Sequence, residues 1–401
     1  MRVHHCGRES RESLIRERFF MRTYVSLFSS AGVGDYGFYQ AGFKLIASNE
    51  LLKRRMSVQL ANNVAEDESA YILGDITSED IKSKIISQVK KYTDDLDLLV
   101  ATPPCQGISV ANHFKKGEDI KRNSLVLQSI LIAEQLHPKF IVFENVHRFL
   151  KTACTDTDGS VNTIKEVIDR HLSSEYDIWG EEINFKDYGA NSSRPRTLVI
   201  STRKDMNIDP ASLMPNKMKE KTLKEVIGDL PALHEMGEVD KNDILHSFRP
   251  YREDMRDWIH GLKQGESAFD NTDPKLRPHR VINGKVVFNV RKNGDKYKRQ
   301  YWDKVAPAIH TRNDILASQN TVHPVDDRVF SIRELMRLMN VPAKFKWTPE
   351  SYEYLNNLPI DEKKKWLKKN AITIRQSLGE AVPTIIFKEI GDKINLSLEK
   401  R

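Results

Sequence analysis

The chain has 401 residues, of which 39% are hydrophobic and 30% are charged, and its formal net charge is +7 with a pI near 9.0. This composition predicts a globular, soluble protein with one large domain or two ordinary ones, and the basic balance favours a polyanionic partner. No apolar run approaches the roughly 20 residues of a membrane span, so we expect no membrane association.

Three cysteines (Cys6, Cys105 and Cys154) without a Cys-x-x-Cys pair argue against a disulfide framework and against a zinc site. They fit a reducing cytosol. Residues 1–22 contain six Arg and three Glu and lack the apolar core of a secretory signal, so we interpret them as an N-terminal extension, either a mobile tail or a short helix.

The first elements form a βαβ pattern. A strand over residues 23–28 leads into a turn of small residues, 29–34, and a helix over 35–41 is followed by a strand over 43–48 that ends at Glu50. Small residues in such a turn let a ligand approach the backbone, and an acid after the second strand can bind a ribose diol. The glycine spacing is not the dinucleotide fingerprint, and a tight turn that needs glycine explains it equally well.

The alternation continues with a helix over residues 51–61 and a short strand over 71–73. Gly74-Asp75-Ile76 closes that strand, and a charged amphipathic helix follows over residues 78–91.

Cys105 follows a short apolar strand that begins near residue 96 and ends in Pro103-Pro104. Proline cannot continue a central strand, so the thiol is expected at the carboxyl edge of the sheet, where open α/β sheets bind ligands. Cys105 is therefore a candidate nucleophile, although a free cysteine is more often a buried structural residue. We interpret residues 107–121 as a mobile loop, whose lysines either contact phosphates or face solvent.

Further strands and helices complete the pattern. We predict helices over residues 123–136 and 161–172 and strands over 139–143, 178–185 and 197–201. Glu144 ends a buried strand and is a second candidate for the ligand edge. Arg194 and Arg196 are two residues apart at the entrance of a strand, and they point to the same side if that strand begins early.

The pattern predicts the α/β class with a mostly parallel sheet. It stops after about residue 205, which indicates a different domain or a large insertion over 206–320. Within it, residues 279–302 mix cations with aromatic rings, a composition suited to phosphates and base edges but equally to a solvated surface. We then expect a helix over 330–338, a turn over 376–383 and a last helix over 384–394. The lysines at 363–369 form a charged solvated face or a phosphate track.

Together these stretches resemble the DNA (cytosine-5) methyltransferase family over most of the chain outside residues 1–22 and about 206–320. The resemblance is specific because nine motifs occur in family order: residues 27–34, Glu50, Asp75-Ile76, Pro104-Cys105-Gln106, Arg122-Asn123-Ser124-Leu125, Glu144-Asn145-Val146, Arg194-Pro195-Arg196, residues 331–335, and residues 379–383. The sequence departs from the family at Ser192, usually Gln, and at Glu380, usually Asn.

The resemblance implies a Rossmann-like fold, a mostly parallel sheet with helices on both faces, plus a smaller target-recognition domain. The expected domains are a catalytic domain over 23–205 and 372–401 and a smaller domain over 206–371, with target recognition at about 206–320. The resemblance also implies S-adenosylmethionine as cofactor, S-adenosylhomocysteine as product and no metal. The cofactor would be bound by Phe28, Ser29, Gly32, Gly34, Glu50, Asp75, Ile76, Pro104, Leu125, Glu380 and Ala381.

By the same resemblance, Cys105 would attack C6 of a cytosine flipped out of the duplex, which makes C5 nucleophilic. Glu144 would hold N3 and the exocyclic amine, Arg194 would bind the carbonyl oxygen of the base, and Arg196 would support it. We expect a monomer in the bacterial cytosol that acts on double-stranded DNA, functionally paired with a cognate restriction endonuclease. The alternatives are an RNA (tRNA) cytosine-5 methyltransferase and a catalytically silent DNA-binding protein.

Overall fold

A computed structural model of the protein describes residues 22–65, 67–104, 123–291 and 294–400. They fall into two compact units. Of these described residues, unit 1 contains those from 22 to 184, from 195 to 216 and from 384 to 400, and unit 2 contains those from 185 to 194 and from 217 to 383. The bounds differ from the expected domains. Residues 185–194 and 372–383 belong to unit 2, although the sequence predicted them in the catalytic domain, and residues 206–216 belong to unit 1, although it predicted them in the smaller domain. The functional assignment of the two units stays a prediction.

Unit 1 is built on a seven-stranded sheet in the order β3-β2-β1-β4-β5-β9-β8. The first five strands in this order are parallel, and β9 runs antiparallel to both β5 and β8. The mostly parallel α/β sheet predicted from the sequence is thus confirmed. The strands of unit 1 are β1 (Arg22–Leu27), β2 (Phe43–Glu50), β3 (Tyr71–Leu73), β4 (Leu98–Ala101), β5 (Phe140–Val146), β6 (Ala153–Thr155), β7 (Val161–Thr163), β8 (Tyr176–Asn184) and β9 (Pro195–Arg203).

The helices of unit 1 alternate with the parallel strands and cover the sheet. They are α1 (Asp35–Gln40), α2 (Lys53–Asn62), α3 (Glu79–Lys90), α4 (Leu125–Leu136), α5 (Ile164–Leu172) and, from the end of the chain, α11 (Thr384–Glu399). One sequence interpretation is wrong here. Residues 161–163 form β7, which pairs with β6, and helix α5 begins only at Ile164, where Thr163 and Glu166 form a capping box.

The core of unit 1 follows from strands that are apolar on both faces. All four residues of β4 are buried, as expected of a central parallel strand with helices on either side. Helix α11 packs against α1, where the rings of Phe38 and Phe387 stack with centroids 4.8 Å apart. The hydroxyl of Thr384 donates to the carbonyl of Val33 at 3.0 Å, so the start of α11 is bonded to the turn after β1.

Unit 2 contains shorter helices, one long helix and a two-stranded hairpin. Its elements are α6 (Leu223–Ile227), α7 (Asp254–Ile259), β10 (His279–Ile282), β11 (Lys285–Phe288), α8 (Ile332–Leu338), α9 (Tyr352–Asn356) and α10 (Ile360–Glu380). The turn expected over residues 376–383 is partly wrong, because α10 continues to Glu380. A hydrophobic cluster that includes Trp258, Ile259 and Tyr297 forms part of the core.

A buried ion pair joins the start of α8 to the preceding loop. Arg328 donates to both carboxylate oxygens of Glu334, at 2.8 and 2.9 Å. Burial alone would raise the pKa of Glu334, but Arg328 outweighs it, and the pKa is lowered to about 2. No helix in the described parts of the chain is long and apolar enough to cross a membrane.

Candidate active site

The turn after β1 has a strained backbone. Phe28 and Ser30 have φ values of 57° and 50°, in the left-handed region that non-glycine residues rarely adopt, and Gly32 has a φ of 73°. A Cβ on Gly32 would lie 3.1 Å from Cγ of Gln59. The turn therefore needs glycine at position 32 for both its conformation and its close packing.

Gln59 on α2 fixes this turn, a role that was not expected from the sequence. Its side-chain nitrogen donates to the hydroxyl of Ser29 and to the carbonyl of Ser30, each at 2.7 Å, and its oxygen accepts from Ser48 at 2.6 Å. Gln59 is buried. The available signal was a polar residue on the face of α2 that also carries Met56, but a buried glutamine cannot be distinguished from an exposed one in sequence.

Glu50 ends β2 next to the same turn and is buried. One carboxylate oxygen accepts from the backbone N–H of Ser30 at 2.9 Å. The other accepts from the N–H of Leu52 at 2.9 Å and from Arg55 at 3.2 Å. The carboxylate therefore lies against the turn, held by donors on both oxygens.

Asp75 and Ile76 follow β3, the next strand in the sheet. Asp75 is exposed and its carboxylate accepts from the N–H and the hydroxyl of Thr77, whereas Ile76 is buried. Leu51, directly after Glu50, is 60% exposed, and Leu73 at the end of β3 is also exposed. These two leucines were not identified from sequence. For Leu51 a usable signal was its position directly after the acid that ends β2, whereas Leu73 ends an apolar strand and carries no such signal.

These residues fit S-adenosylmethionine, the cofactor implied by the family resemblance. Phe28, Ser29, Gly32 and Gly34 lie in or beside the turn after β1, whereas Glu50 ends β2 and Asp75 comes after β3. Since parallel strands place their carboxyl ends at one edge, the sheet brings together a narrow glycine turn, a buried acid and exposed aliphatic side chains. Such a ligand suits this arrangement for three reasons. The narrow turn leaves the backbone open to close approach, the carboxylate can accept from hydroxyl groups, and the apolar surface can pack against a ring.

The segment that follows β4 is held by hydrogen bonds to the ends of both neighbouring strands. The hydroxyl of Thr102 donates to the carbonyl of Phe28 at 2.9 Å. The side-chain amide of Asn145 donates to the carbonyl of Pro103 at 2.7 Å. Pro104 is exposed and is the last described residue before a gap, so Cys105 and the loop over 107–121 lie outside the described residues. Asn145 was quoted in a motif, but its role in holding this backbone was missed.

Glu144 and Arg196 form the polar pair at the carboxyl end of β5. Glu144 is buried, and one of its carboxylate oxygens lies 3.2 Å from Nε of Arg196. The geometry follows from the register, because Val146 pairs with Arg196 across β5 and β9 and Glu144 lies two residues earlier on the same face. Burial lowers the pKa of Arg196, and the charge of Glu144 opposes that shift.

Arg194 has different surroundings. It precedes β9, which begins at Pro195, and it belongs to unit 2. Its guanidinium is buried and donates to the carbonyl of Ile309 at 3.2 Å and to that of Gly379 at 3.1 Å. The strand begins at Pro195, two residues before the predicted start at Thr197, and this takes Arg196 but not Arg194 into the strand.

The other expected site residues have these positions. Leu125 is half-buried and begins α4, with Asn123 just before it donating to the carbonyl of Ala153 at 3.1 Å. Ser192 is buried in unit 2. Glu380 is exposed at the end of α10, and Ala381 after it is buried; both belong to unit 2.

No described residues form a group of three or more His, Cys, Asp or Glu side chains that could hold a metal ion.

Comparisons with known proteins show consistent matches. Residues 22–395 match the family described as C-5 cytosine-specific DNA methylase. The chain is 31% identical over 387 residues to Type II methyltransferase M1.HgaI of Avibacterium volantium, covering 92% of this chain and 97% of that protein. It is 32% identical over 385 residues to Type II methyltransferase M.NgoPII of Neisseria gonorrhoeae, covering 94% and 96%.

A solved structure supports the fold. The chain superposes on a prophage-encoded protein of E. coli, described as a DNA modification methyltransferase, with a TM-score of 0.63 and 17% identity, covering 94% of this chain and 99% of that one. At this identity the likeness concerns the fold, a mostly parallel sheet with helices.

Proposed function

Because the chain belongs to the family of C-5 cytosine-specific DNA methylases, it methylates C5 of cytosine in DNA, and we propose which of its residues perform this reaction. The observation that carries the proposal is the meeting of three features at the carboxyl ends of β4 and β5. They are the Pro103–Pro104 segment that leads to Cys105, the side chain of Asn145 that holds it, and the Glu144–Arg196 pair.

Cys105 is the proposed nucleophile. Only its thiolate adds to C6 of the cytosine, and the new C–S bond pushes electron density towards C5, N3 and O2 of the ring. S-adenosylmethionine, when bound, supplies the electrophilic methyl group that C5 accepts. The C5 proton then leaves to a base, and the C–S bond breaks to release the methylated base and restore the thiolate.

Glu144 and Arg196 are proposed to bind the ring that Cys105 attacks. Glu144 holds the exocyclic amine and moves a proton to or from N3 as charge develops there. Arg196 donates to the carbonyl oxygen O2, since it is the arginine that lies beside Glu144. The sequence predicted the opposite, with Arg194 on the carbonyl oxygen and Arg196 in the supporting role. Arg194 is proposed as a positioning residue in unit 2, because its guanidinium already donates to two backbone carbonyls.

The proposed cofactor residues lie in two groups. In unit 1, Glu50 binds the ribose hydroxyls, Asp75 and Ile76 contact the adenine, and the turn of Phe28, Ser29, Gly32 and Gly34 receives the amino-acid part. Pro104 and Leu125 contribute from the neighbouring segments. Glu380 and Ala381 belong to unit 2, and their contact with the cofactor stays a prediction from the family motif. The product is S-adenosylhomocysteine, and the proposal involves no metal.

The proposed biological setting is a restriction–modification system. The relatives named above are Type II methyltransferases, which supports methylation of a specific duplex sequence as protection from a cognate endonuclease. A cytosolic location at the DNA and a monomeric state complete the proposal.

The test is transfer of a labelled methyl group to mixed-sequence duplex DNA and to tRNA. We expect incorporation into the duplex only, and C105S should abolish it while S-adenosylhomocysteine still binds. Preferential labelling of tRNA, or turnover retained in C105S, would contradict the proposal. Bisulfite sequencing of the labelled duplex identifies the target sequence.

A further inference from the structure

The hairpin β10–β11 exposes an unusual amount of apolar surface for a strand pair in water. Val281 is 64% exposed and Val286 is 55% exposed, and Ile282, Val287 and Phe288 are also exposed. All but the first residue of the two strands are exposed, and the turn between them is Asn283-Gly284, both with positive φ as a tight hairpin turn requires. An uncovered apolar ribbon is unfavourable unless it has a partner.

The register divides the side chains of the hairpin into two faces of different chemistry. Val281 pairs with Val286, and His279 pairs with Phe288, so these four side chains share one face, which we call the aliphatic face. Arg280 pairs with Val287 and Ile282 with Lys285 on the other face, which carries both cations and which we call the cationic face. Among the described residues, Arg280 and Lys285 form no ion pair.

The foot of the hairpin is anchored in unit 2. The ring of His279 contacts those of Trp258 and Phe288, with centroids 5.1 and 6.1 Å away, and Arg252 donates to the carbonyl of His279 at 3.3 Å. The N–H of Asn289 donates to the carbonyl of Pro278 at 2.9 Å and closes the foot. The apolar strands therefore project from a fixed base.

The charge around the hairpin selects the class of partner. Residues 274–300 contain nine Lys or Arg and one Asp. Arg299 is buried against Asp327 and Arg291 pairs with Asp270, and the remaining excess of cations disfavours a basic or neutral protein and favours a polyanion. A cavity of about 490 Å³ at the foot has walls of aromatic rings and cations, among them Trp258, Tyr297, Arg252, Arg280 and Lys296. Such walls suit phosphates and sugar–base surfaces.

We propose that the β10–β11 hairpin enters the major groove of the substrate duplex, with Val281 and Val286 against thymine methyl groups and Arg280 and Lys285 against phosphates. A two-stranded ribbon fits this groove, and the thymine methyl is the apolar group displayed there. The proposal rests on DNA being the substrate and adds the residues that select its sequence. Contacts of the aliphatic face determine which bases are preferred. Contacts of the cationic face increase the affinity for any duplex, whatever its sequence.

The first experiment removes only the methyl groups of the DNA. Once the target sequence is mapped, duplexes containing it are made with thymine or with deoxyuridine, and kcat/KM for methyl transfer is measured. For the wild type we expect a loss of about fourfold per contacted methyl group on deoxyuridine DNA. V281S/V286S should methylate both duplexes equally, and the matched control V325S, at another exposed valine of unit 2, should behave as the wild type.

The second experiment measures binding of the duplex against salt concentration. R280Q/K285Q should reduce the slope of log Kd against log salt by about two, because each phosphate contact contributes about 0.9, and should leave the mapped target unchanged. Binding of S-adenosylhomocysteine and thermal unfolding should match the wild type in every hairpin variant, which separates this proposal from the proposed cofactor and catalytic residues.

Three outcomes would overturn the proposal. They are a mapped target without thymine, equal loss on deoxyuridine DNA in the wild type and V281S/V286S, and an unchanged salt slope in R280Q/K285Q.

Discussion

At the scale of single residues, two arginines of one short motif have separate surroundings. Arg196 lies within 3.2 Å of Glu144, whereas Arg194 donates to two backbone carbonyls of unit 2. The difference arises because Pro195 begins the strand, so that alternation along β9 governs Arg196 but not Arg194. Identical residue types in one motif can thus perform different tasks.

Replacing each arginine by lysine separates these tasks. R196K should lower kcat at least tenfold with little change in the free energy of unfolding, because a lysine cannot reproduce the oriented guanidinium beside Glu144. R194K should lower the free energy of unfolding by about 2 kcal/mol, since buried carbonyls lose donors, and should change kcat less. Steady-state kinetics and urea unfolding give both readouts. The reverse pattern would return the O2 contact to Arg194.

Gln59 offers a second prediction for a single residue. In Q59L the hydroxyl of Ser29 and the carbonyl of Ser30 lose their donor, so the turn after β1 is less well held. We expect affinity for S-adenosylhomocysteine to fall about tenfold, measured by calorimetry, with duplex affinity unchanged. The control is N62A on the same helix, whose amide donates to the carbonyl of Val58. Equal losses in Q59L and N62A would exclude a specific role for Gln59.

At the scale of elements, the last helix completes the first unit. Helix α11 lies against α1, although more than 340 residues separate them in sequence, and the contact depends on glycine. A Cβ on Gly37 would lie 2.3 Å from the carbonyl oxygen of Thr384 and 2.7 Å from the nitrogen of Lys388. Both of these are backbone atoms, so a larger residue can be accommodated only if a helix moves.

The substitution G37A tests this close packing. In an ordinary helix, alanine is about 1 kcal/mol more favourable than glycine. Here we expect a loss of about 1 to 3 kcal/mol in the free energy of unfolding, because α11 is displaced. Urea unfolding measures it, and S57A on the exposed side of α2 is the control, with no loss expected. A stabilised G37A protein would show that the two helices can separate without penalty.

At the scale of the whole molecule, global stability depends on ionisable groups buried inside the units. Asp35 in unit 1 is buried and accepts from the hydroxyl of Ser26, with both oxygens at 2.9 Å. Burial raises the pKa of Asp35 from 3.8 to about 7, and the bond from Ser26 only partly offsets this. The folded protein therefore holds a proton that the unfolded chain releases.

The pH dependence of D35N follows from that difference. The stabilising contribution of the Asp35 proton is complete below pH 3.8 and is lost as the pH rises through about 7. Asparagine stays neutral at every pH. The free energy of unfolding of D35N, relative to that of the wild type, should therefore rise by about 3 kcal/mol between pH 5 and pH 8.5. Urea unfolding at the two pH values measures this. D67N, at an exposed carboxylate whose pKa is lowered by Ser69, should show no such gain. A difference between D35N and the wild type that does not vary with pH would contradict the prediction.

The sequence by itself determined the fold class, the family and the chemistry. Strand and helix periods are local properties, so the alternating pattern and the motifs around Cys105 and Glu144 could be recognised without coordinates. The strand ends followed from proline and glycine, which restrict the backbone whatever surrounds them.

Only the tertiary structure decided which side chains meet. Asn145 donates to the carbonyl of Pro103, which is 42 positions away in sequence. Thr384 donates to the carbonyl of Val33, which is 351 positions away. No local sequence pattern encodes such contacts. The same holds for Gln59, whose burial depends on a turn from another element, and for Arg194, whose partners lie in a unit that its motif does not suggest. Burial and register arise from the packing of the whole chain, and they assign roles to residues whose types the sequence already displays.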